Sequence, residues 1–319
     1  MVVTSIDALA TDYRTITEGC GLLDRSERGK LALTGGECRS FLQGQVTNDV
    51  EALVPGSGCY AAFLTPKGKM LGDLRVLDAD TELLLDTERI ALQELFNMIR
   101  RFSVGYDVQL HKRTLECGLL SLIGPESDGV LGEAAPGLEE HSHRQCTVAG
   151  VPARSIRTDL GVDLLCEAAT VESLRQTLQN ARAVSVAKAA VECLRVERGR
   201  PRYGVELDDS VIPQEAGLNE RAVSFTKGCY VGQETVARLF YRGKPNRQLR
   251  GLRCEQPVEP DEAIHFDGRV VGRVGSAVSS PRFGPIALAL VRREAPPGTN
   301  VVIGEERVPA VVSELPFGA

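Results

Sequence analysis

The chain has 319 residues, enough for about two domains at roughly 100 to 200 residues each. Hydrophobic residues make up 43% and charged residues 25%, the balance of a folded globular chain, which excludes the disordered, collagen-like and membrane-embedded classes. Thirty-seven basic against 43 acidic side chains leave a formal charge of -6, which argues against a whole-molecule electrostatic grip on nucleic acid or an anionic membrane and leaves only local basic patches.

In chain order, Ile6, Leu9, Ala10, Tyr13 and Ile16 recur at helical spacing. A strand is expected over 30–34, ended by Gly35-Gly36, and a buried strand over 58–64, stopped by Thr65-Pro66. Residues 73–87 read as two strands folded about Asp78-Ala79-Asp80. Leu92, Leu95, Phe96, Ile99 and Phe102 mark a second helix, and Val171, Leu174, Leu178 and Ala181 a third, with Glu172 placed to favour its N-terminal dipole. Between 124 and 150 the sequence thins into Gly, Pro, Ser and Glu and reads as a surface excursion or a subdomain joint, without chemistry. After Pro245 short apolar runs alternate with Gly and Pro, including 269–278 and 286–291, the pattern of a small all-β module. The expected domains are therefore 1–245 and 246–319. Dense strands without regular βαβ alternation make the larger part α+β.

Nine cysteines, at 20, 38, 59, 117, 146, 166, 193, 229 and 254, cannot all pair with each other and contain no Cys-x-x-Cys, so a reducing cytoplasm is expected. The four histidines lack zinc-type spacing, no bound metal is expected, and His141 and His143 read as a solvated loop. Asp7 stands where a signal peptide needs an apolar run, and no stretch approaches the roughly 18 apolar residues of a membrane span. A cytoplasmic chain that engages no membrane is expected. With no heptad seam, a monomer is the default.

Gly56-Ser57-Gly58-Cys59-Tyr60-Ala61 matches the dinucleotide fingerprint in letters only, since Pro55 precedes it and a β-like run follows. The sharpest segment is Lys227-Gly228-Cys229-Tyr230-Val231-Gly232-Gln233-Glu234, a loop feeding a helix that begins near Gly232. A thiol at Cys229, close to a helix start and to Lys227, would have its thiolate favoured for nucleophilic, ligating or redox chemistry; the bland alternative is a small buried cysteine in a glycine-rich turn. In 194–204 four arginines surround Glu197, which is either a solvated charge or, if it alternates inward with Leu194 and Val196 disposed around it, a buried acceptor for paired N–H donors such as those of an aminopyrimidine. Arg238, Arg242, Lys244, Arg247, Arg250 and Arg253 follow with no acid between them, a positive stripe suited to a polyanion or to a solvated strand edge. With 5% aromatics and no Trp, platforms for base stacking are scarce.

The segment 227–234 resembles the signature of the YgfZ-like folate-binding proteins, relatives of the mitochondrial iron-sulfur maturation factor and of the glycine cleavage T-protein. The likeness extends to Asp24-Arg25-Ser26 through Gly35, to 41–50, to 63–74, to Arg195-Val196-Glu197-Arg198-Gly199, to Tyr203-Gly204, to 213–218 and to 241–244, with a weaker signal over the last 70 residues. It implies a T-protein-like α+β folate-binding fold, three subdomains in a ring with a C-terminal β-barrel, holding tetrahydrofolate. It implies Asp73 as the carboxylate near the reactive folate nitrogen and Glu197 as the pterin grip, with Tyr203 and Arg238 as further folate contacts and Lys227 and Cys229 at the reactive loop. T-proteins typically lack the cysteine at this place, so Cys229 points to the YgfZ-like branch. The implied function is a folate-binding accessory factor for assembly or repair of iron-sulfur enzymes, with those enzymes or their assembly proteins as partners. Cys229 alone cannot hold a cluster, which needs about four ligands. The alternative is a tetrahydrofolate-dependent aminomethyltransferase or demethylase in which Asp73 positions the carrier. A third reading, an RNA contact by the basic stripe in tRNA modification, ranks last as a direct activity, and no stable nucleic-acid complex is expected.

Overall fold

The computed structural model describes residues 6–318. Its contacts divide the chain into two compact units. The first comprises the residues up to Leu64, Leu71–Ala190 and Arg221–Val231; the second comprises Thr65–Met70, Val191–Glu220 and the chain from Gly232 on.

The first unit is built from two halves of the same design. After α1 (Ile6–Glu18) and β1 (Gly21–Asp24), the chain runs through β2 (Gly29–Thr34), α2 (Cys38–Gln43), β3 (Gly58–Leu64), β4 (Met70–Asp78), β5 (Leu83–Thr87), α3 (Leu92–Phe102) and β6 (Gln109–Lys112). It then repeats the pattern with β7 (Cys117–Ile123), α4 (Ser127–Leu131), β8 (His143–Val148), β9 (Val151–Thr158), β10 (Gly161–Glu167), α5 (Val171–Asn180) and β11 (Val184–Ser185). The first sheet has the order β3-β4-β5-β2-β6 and the second, read from its other edge, β8-β9-β10-β7-β1-β11, so the five strands of the first have counterparts in β8, β9, β10, β7 and β11, and β1 is an added strand between β7 and β11. The sequence carries a trace of the repeat in Leu31-Ala32-Leu33-Thr34-Gly35 and Leu120-Ser121-Leu122-Ile123-Gly124, each followed by a short helix. Gly35 (φ 110°) and Gly124 (φ 121°) both take a left-handed backbone where a Cβ would strike a carbonyl oxygen, that of Asp107 at 2.2 Å and of Gly19 at 2.4 Å.

Each sheet turns an apolar face to its own helices. Leu95 and Ile99 of α3 are buried, as are Leu174 and Leu178 of α5, the positions that helical spacing selects. Leu120, Leu122, Val162 and Leu164 join the latter pair in one core. The opposite, mixed faces look toward each other and are joined by the ion pair of Arg75 on β4 with Asp163 on β10.

The segment 124–150 is not an excursion. It holds α4 and all of β8, and His141 and His143 are buried, contrary to the solvated loop expected from its Gly and Pro content. The reason is pairing: β8 lies antiparallel to β9 with His143 opposite Ile156, and the Arg157 carbonyl accepts the His141 amide. Burial pushes the imidazoles down, to about 3 for His141 and about 4 for His143, with nearby arginines adding to the effect.

The helix α6 (Lys188–Glu197) leads into the second unit, the short α7 (Asn219–Ala222) falls on the division between the units, and α8 (Gln233–Arg242) belongs to the second. There β12 (Arg247–Cys254), β13 (Ala263–Phe266), β14 (Arg269–Ser280), β15 (Gly284–Arg292), β16 (Asn300–Ile303) and β17 (Val308–Ser313) close into a six-stranded barrel, β12 pairing with both β15 and β17. Leu252, Ile264, Val274, Ala289, Ile303 and Val312 fill it. No helix among the described residues is long and apolar enough to cross a membrane.

Candidate functional site

Asp73 lies midway along β4, and alternation puts it on the inter-sheet face with Arg75 and Leu77. Its carboxyl is buried and accepts the Tyr60 hydroxyl of neighbouring β3 at 2.6 Å. The Thr87 hydroxyl donates to the main-chain carbonyl of Asp73 and pins the strand beneath it. Burial pushes the Asp73 carboxyl up to about 6, and the Tyr60 hydrogen bond and the Arg28 guanidinium oppose the rise without cancelling it. Burial and the neighbouring Asp73 together raise Tyr60 well above an ordinary phenol, so its hydroxyl stays a donor.

The surrounding charges are set the other way. Arg28 Nε donates to Asp86 at 2.8 Å and its Nη1 pairs with Glu88; Arg75 Nε donates to Asp86 at 2.6 Å. Arg75 Nη1 also meets Asp163 at 2.7 Å, and Asp163 accepts the Ser121 hydroxyl at 2.6 Å. Burial alone would raise both carboxylates, but Arg28 and Arg75 hold Asp86 well below the usual range, and Arg75 and Arg25 hold Asp163 down. One buried carboxyl thus titrates at about 6 while two others held by arginines stay ionised, a separation of carboxyl pKa values by environment.

Lys227 and Cys229, adjacent in the motif, part company in the fold. The Lys227 ammonium turns inward and donates to the carbonyls of Gln43, Val46 and Asn48 at 2.6, 2.7 and 2.8 Å, 5.2 Å from the Tyr230 ring centroid. Burial lowers it to about 8, with Asp49 opposing. Its three N–H groups are committed to the 43–48 turn, so it fixes that turn and does not face the thiol as sequence proximity implied. Cys229 is exposed, which removes the buried-turn alternative.

Glu197, Tyr203 and Arg238 all belong to the second unit, whereas Asp73, Lys227 and Cys229 belong to the first. Glu197 is buried, but it ends the helix α6 instead of alternating along a strand. Its Oε1 accepts the Ser280 hydroxyl, and that oxygen in turn accepts the amides of Arg282 at 3.0 Å and Phe283 at 2.9 Å. The carboxylate therefore braces the turn between β14 and β15. The arginines nearby are not merely solvated, since Arg195 pairs with Glu192 at 2.7 Å and Glu206 at 3.2 Å. Tyr203 makes a short bridge with Leu207, and Arg238 is exposed on α8. The positive stripe is broken up by acids from elsewhere in the chain: Arg247 pairs with Glu215 at 3.0 Å and Arg250 with Glu314 at 2.7 Å, while Arg253 sits 5.3 Å from the Phe283 ring centroid. Tyr60, Arg28 and Asp86 are missing from the residues that the sequence singles out. Folding 58–64 against the strand of Asp73 about the Thr65-Pro66 turn would have brought Tyr60 to light; nothing in the sequence announces Arg28.

Residues 4–227 match the GCVT N-terminal domain, and residues 247–318 match the glycine cleavage T-protein C-terminal barrel domain. The chain belongs to the glycine cleavage T-protein family. Among its relatives, an aminomethyltransferase of Streptomyces avermitilis is 32% identical over 96% of this chain and 88% of its own length. One of Synechococcus is 30% identical over 99% of this chain and 92% of its own. The glycine cleavage system aminomethyltransferase T of Bartonella henselae, 24% identical, superposes with a TM-score of 0.88 over 97% of this chain and 89% of that one. The fold is thus the mixed α+β T-protein fold with a closed C-terminal barrel. These three relatives are named for aminomethyl transfer, not for iron-sulfur assembly.

Proposed function

We propose that this T-protein family member is a tetrahydrofolate-dependent one-carbon transferase of the aminomethyltransferase kind, with Asp73 as its proton-handling residue. The observation that carries the reading is the buried Asp73 carboxyl, held by Tyr60 and titrating at about 6. A folate nitrogen that bonds to a one-carbon unit must lose a proton, and a carboxyl poised near neutral pH can accept it and later return it. The donor set at Asp73 fits such a ligand: a carboxylate with one oxygen engaged by a phenol presents the other to an N–H. When bound, tetrahydrofolate supplies the nucleophilic nitrogen that takes the one-carbon unit. Tyr60 fixes the orientation of the acid, and the ionised Asp86 and Asp163 hold the arginines that keep the sheet faces in register. The family resemblance assigns further folate contacts to Glu197, Tyr203 and Arg238. Glu197→Gln is expected to weaken tetrahydrofolate binding by about 1–3 kcal/mol if that assignment holds, and an unchanged dissociation constant leaves Glu197 as the brace of the barrel turn alone. The test of the main reading is formation of methylenetetrahydrofolate from an aminomethyl donor by purified wild-type protein and Asp73→Asn. Turnover in the wild type that falls by about 100-fold or more in the variant supports it; no turnover in the wild type refutes it.

One observation favours a second reading. The exposed Cys229 in its Lys-Gly-Cys-Tyr loop is the feature that resembles the YgfZ-like branch, in which the protein would serve assembly or repair of iron-sulfur enzymes as a cytoplasmic folate-binding factor and a monomer. Activity of a cluster-dependent enzyme in cells lacking the protein, complemented with wild type or Cys229→Ser, decides it. Rescue by the wild type alone supports the second reading, and equal rescue by both removes the thiol from the function.

A further inference from the structure

Between the two mixed sheet faces of the first unit lies a cavity of about 970 Å³, within the range of sites that take drug-sized ligands. Asp73 does not line it, whereas Arg75 and Asp86 do. Its walls are mixed: Leu77 and Leu84 from one sheet and Leu119, Ile156 and Leu165 from the other form the apolar part, and Glu82, Glu116 and Glu167 stand among the charged residues. Most of its charges are spoken for by neighbours. Arg75 is held by Asp86 and Asp163, and Arg113 lies 2.8 Å from Glu116 and 3.6 Å from Glu82.

Two cations are left with neutral partners only. Lys30, almost wholly buried, donates to the carbonyls of Ser26 at 2.8 Å and Arg28 at 2.9 Å. Arg154, half-buried on β9, donates from Nη1 to His143 Nδ1 at 2.8 Å. A guanidinium has no lone pair to offer, so His143 Nδ1 must be the acceptor and its Nε2–H the donor to the Ser57 carbonyl at 3.2 Å. That imidazole is neutral at physiological pH and supplies no compensating charge. Among the described residues no carboxylate lies within salt-bridge distance of Lys30 or Arg154. Glu82 across the cavity is the carboxylate that acts on Arg154, but it is paired to Arg113 and makes no ion pair with Arg154, so a ligand carboxylate on the planar fork would offset the desolvation cost that remains.

We propose that this cavity is a binding site for an amphipathic carboxylate, an apolar body of about arene size lying between the leucine walls with its carboxylate on Arg154 and Lys30. The proposal stands on the cavity and its cations and does not depend on the transferase reading. Such a carboxylate has two possible sources: a free aryl or alkyl carboxylate, or the aminobenzoyl-glutamate portion of a folate.

The test is calorimetric titration of the full chain with p-aminobenzoyl-glutamate, benzoate and inorganic phosphate. The expected result is binding of p-aminobenzoyl-glutamate, weaker binding of benzoate and none of phosphate. Arg154→Gln should weaken binding by about tenfold or more, the loss of a charge-assisted pair. Should Arg154→Gln fail to fold, Leu165→Trp keeps the question open to test: it fills the apolar wall and should remove binding. Asp73→Asn should bind p-aminobenzoyl-glutamate as the wild type does, which separates this site from the transfer chemistry. With Arg154-dependent binding in hand, competition by tetrahydrofolate assigns the cavity to the cofactor's own tail, and simultaneous binding assigns it to a separate carboxylate. Absence of heat with both carboxylates, equal affinity in Arg154→Gln, or preferential binding of phosphate overturns the proposal.

Discussion

At the residue scale, a carboxyl that titrates at about 6 inside a protein is one whose burial outweighs its hydrogen bonds. For Asp73 this has two consequences of opposite sign. As a base it works only when ionised, so transfer at saturating substrate is expected to rise with pH through about 6 and level off above it. As a structural group it is a liability in the same range, because the native state binds its proton more tightly than the unfolded chain does. Asp73→Asn should therefore raise stability by about 1–3 kcal/mol at pH 7.5, with the gain vanishing near pH 4, as thermal melts at the two pH values would show. Burial disfavours the Lys227 charge as well, yet its hydrogen bonds make it structural. Removing its ammonium in Lys227→Met leaves three carbonyls of the 43–48 turn without their donor, and chemical denaturation should record a loss of about 2–4 kcal/mol. An undiminished midpoint would mean that the turn holds itself. The Lys-Gly-Cys loop stood out as a local motif, and Asp73 was reached through the family resemblance. Tyr60, which orients Asp73, lies 13 residues away on another strand, and the pairing that joins them is a tertiary fact. The buried position of Glu197 was legible as one alternative, but its secondary structure was misjudged, because Leu194 and Val196 ahead of it fit the end of a helix as well as a strand.

At the scale of elements, the duplicated design of the first unit was hidden by divergence. Only the Leu-x-Leu-x-Gly trace and its left-handed glycines survive in both halves, and the β8 strand looked like loop because its flanks are rich in Gly and Pro. The strands and helices with clear periodicity, such as β2, β3, α3 and α5, were legible from spacing alone. What spacing does not reveal is how tightly helices press on the sheets. A Cβ on Gly72 of β4 would stand 2.4 Å from the Phe63 ring and 2.9 Å from the Ala91 Cβ, and one on Gly118 of β7 would stand 2.0 Å from a Val171 methyl. Both are ordinary strand positions in backbone terms, so the constraint is steric. Gly72→Ala and Gly118→Ala should each cost about 1–3 kcal/mol by overpacking, read as a shift of the urea midpoint at unchanged slope. Gly72→Ala should also disturb Asp73 next to it and lower turnover more than Gly118→Ala does.

At the scale of the whole molecule, the groups with shifted pKa values set how stability depends on acid. His141 and His143 take up protons on unfolding between about pH 6.5 and 4, which lowers stability as pH falls. Asp73 releases one on unfolding between about pH 6 and 4, which works the other way. Two against one leaves a net uptake of about one proton, an upper slope of about 1.4 kcal/mol per pH unit. Asp86 and Asp163, held low by arginines, remain ionised through this window and lose their contribution only at lower pH. Asp73→Asn should steepen the acid limb and His141→Gln flatten it, as denaturant titrations across pH 4 to 7 would show. The α+β class and an all-β C-terminal module were legible in the sequence, because alternation and punctuation are local, whereas the closure of that module into a barrel came from the family resemblance. The choice between transfer chemistry and cluster maintenance was not, because it turns on how one carboxyl and one thiol are surrounded. The most direct measurement is the pH dependence of methylenetetrahydrofolate formation by wild type and Asp73→Asn. The account predicts wild-type turnover rising through pH 6 and a variant that binds tetrahydrofolate but does not turn over; turnover that survives the substitution, or is absent from the wild type at every pH, would contradict it.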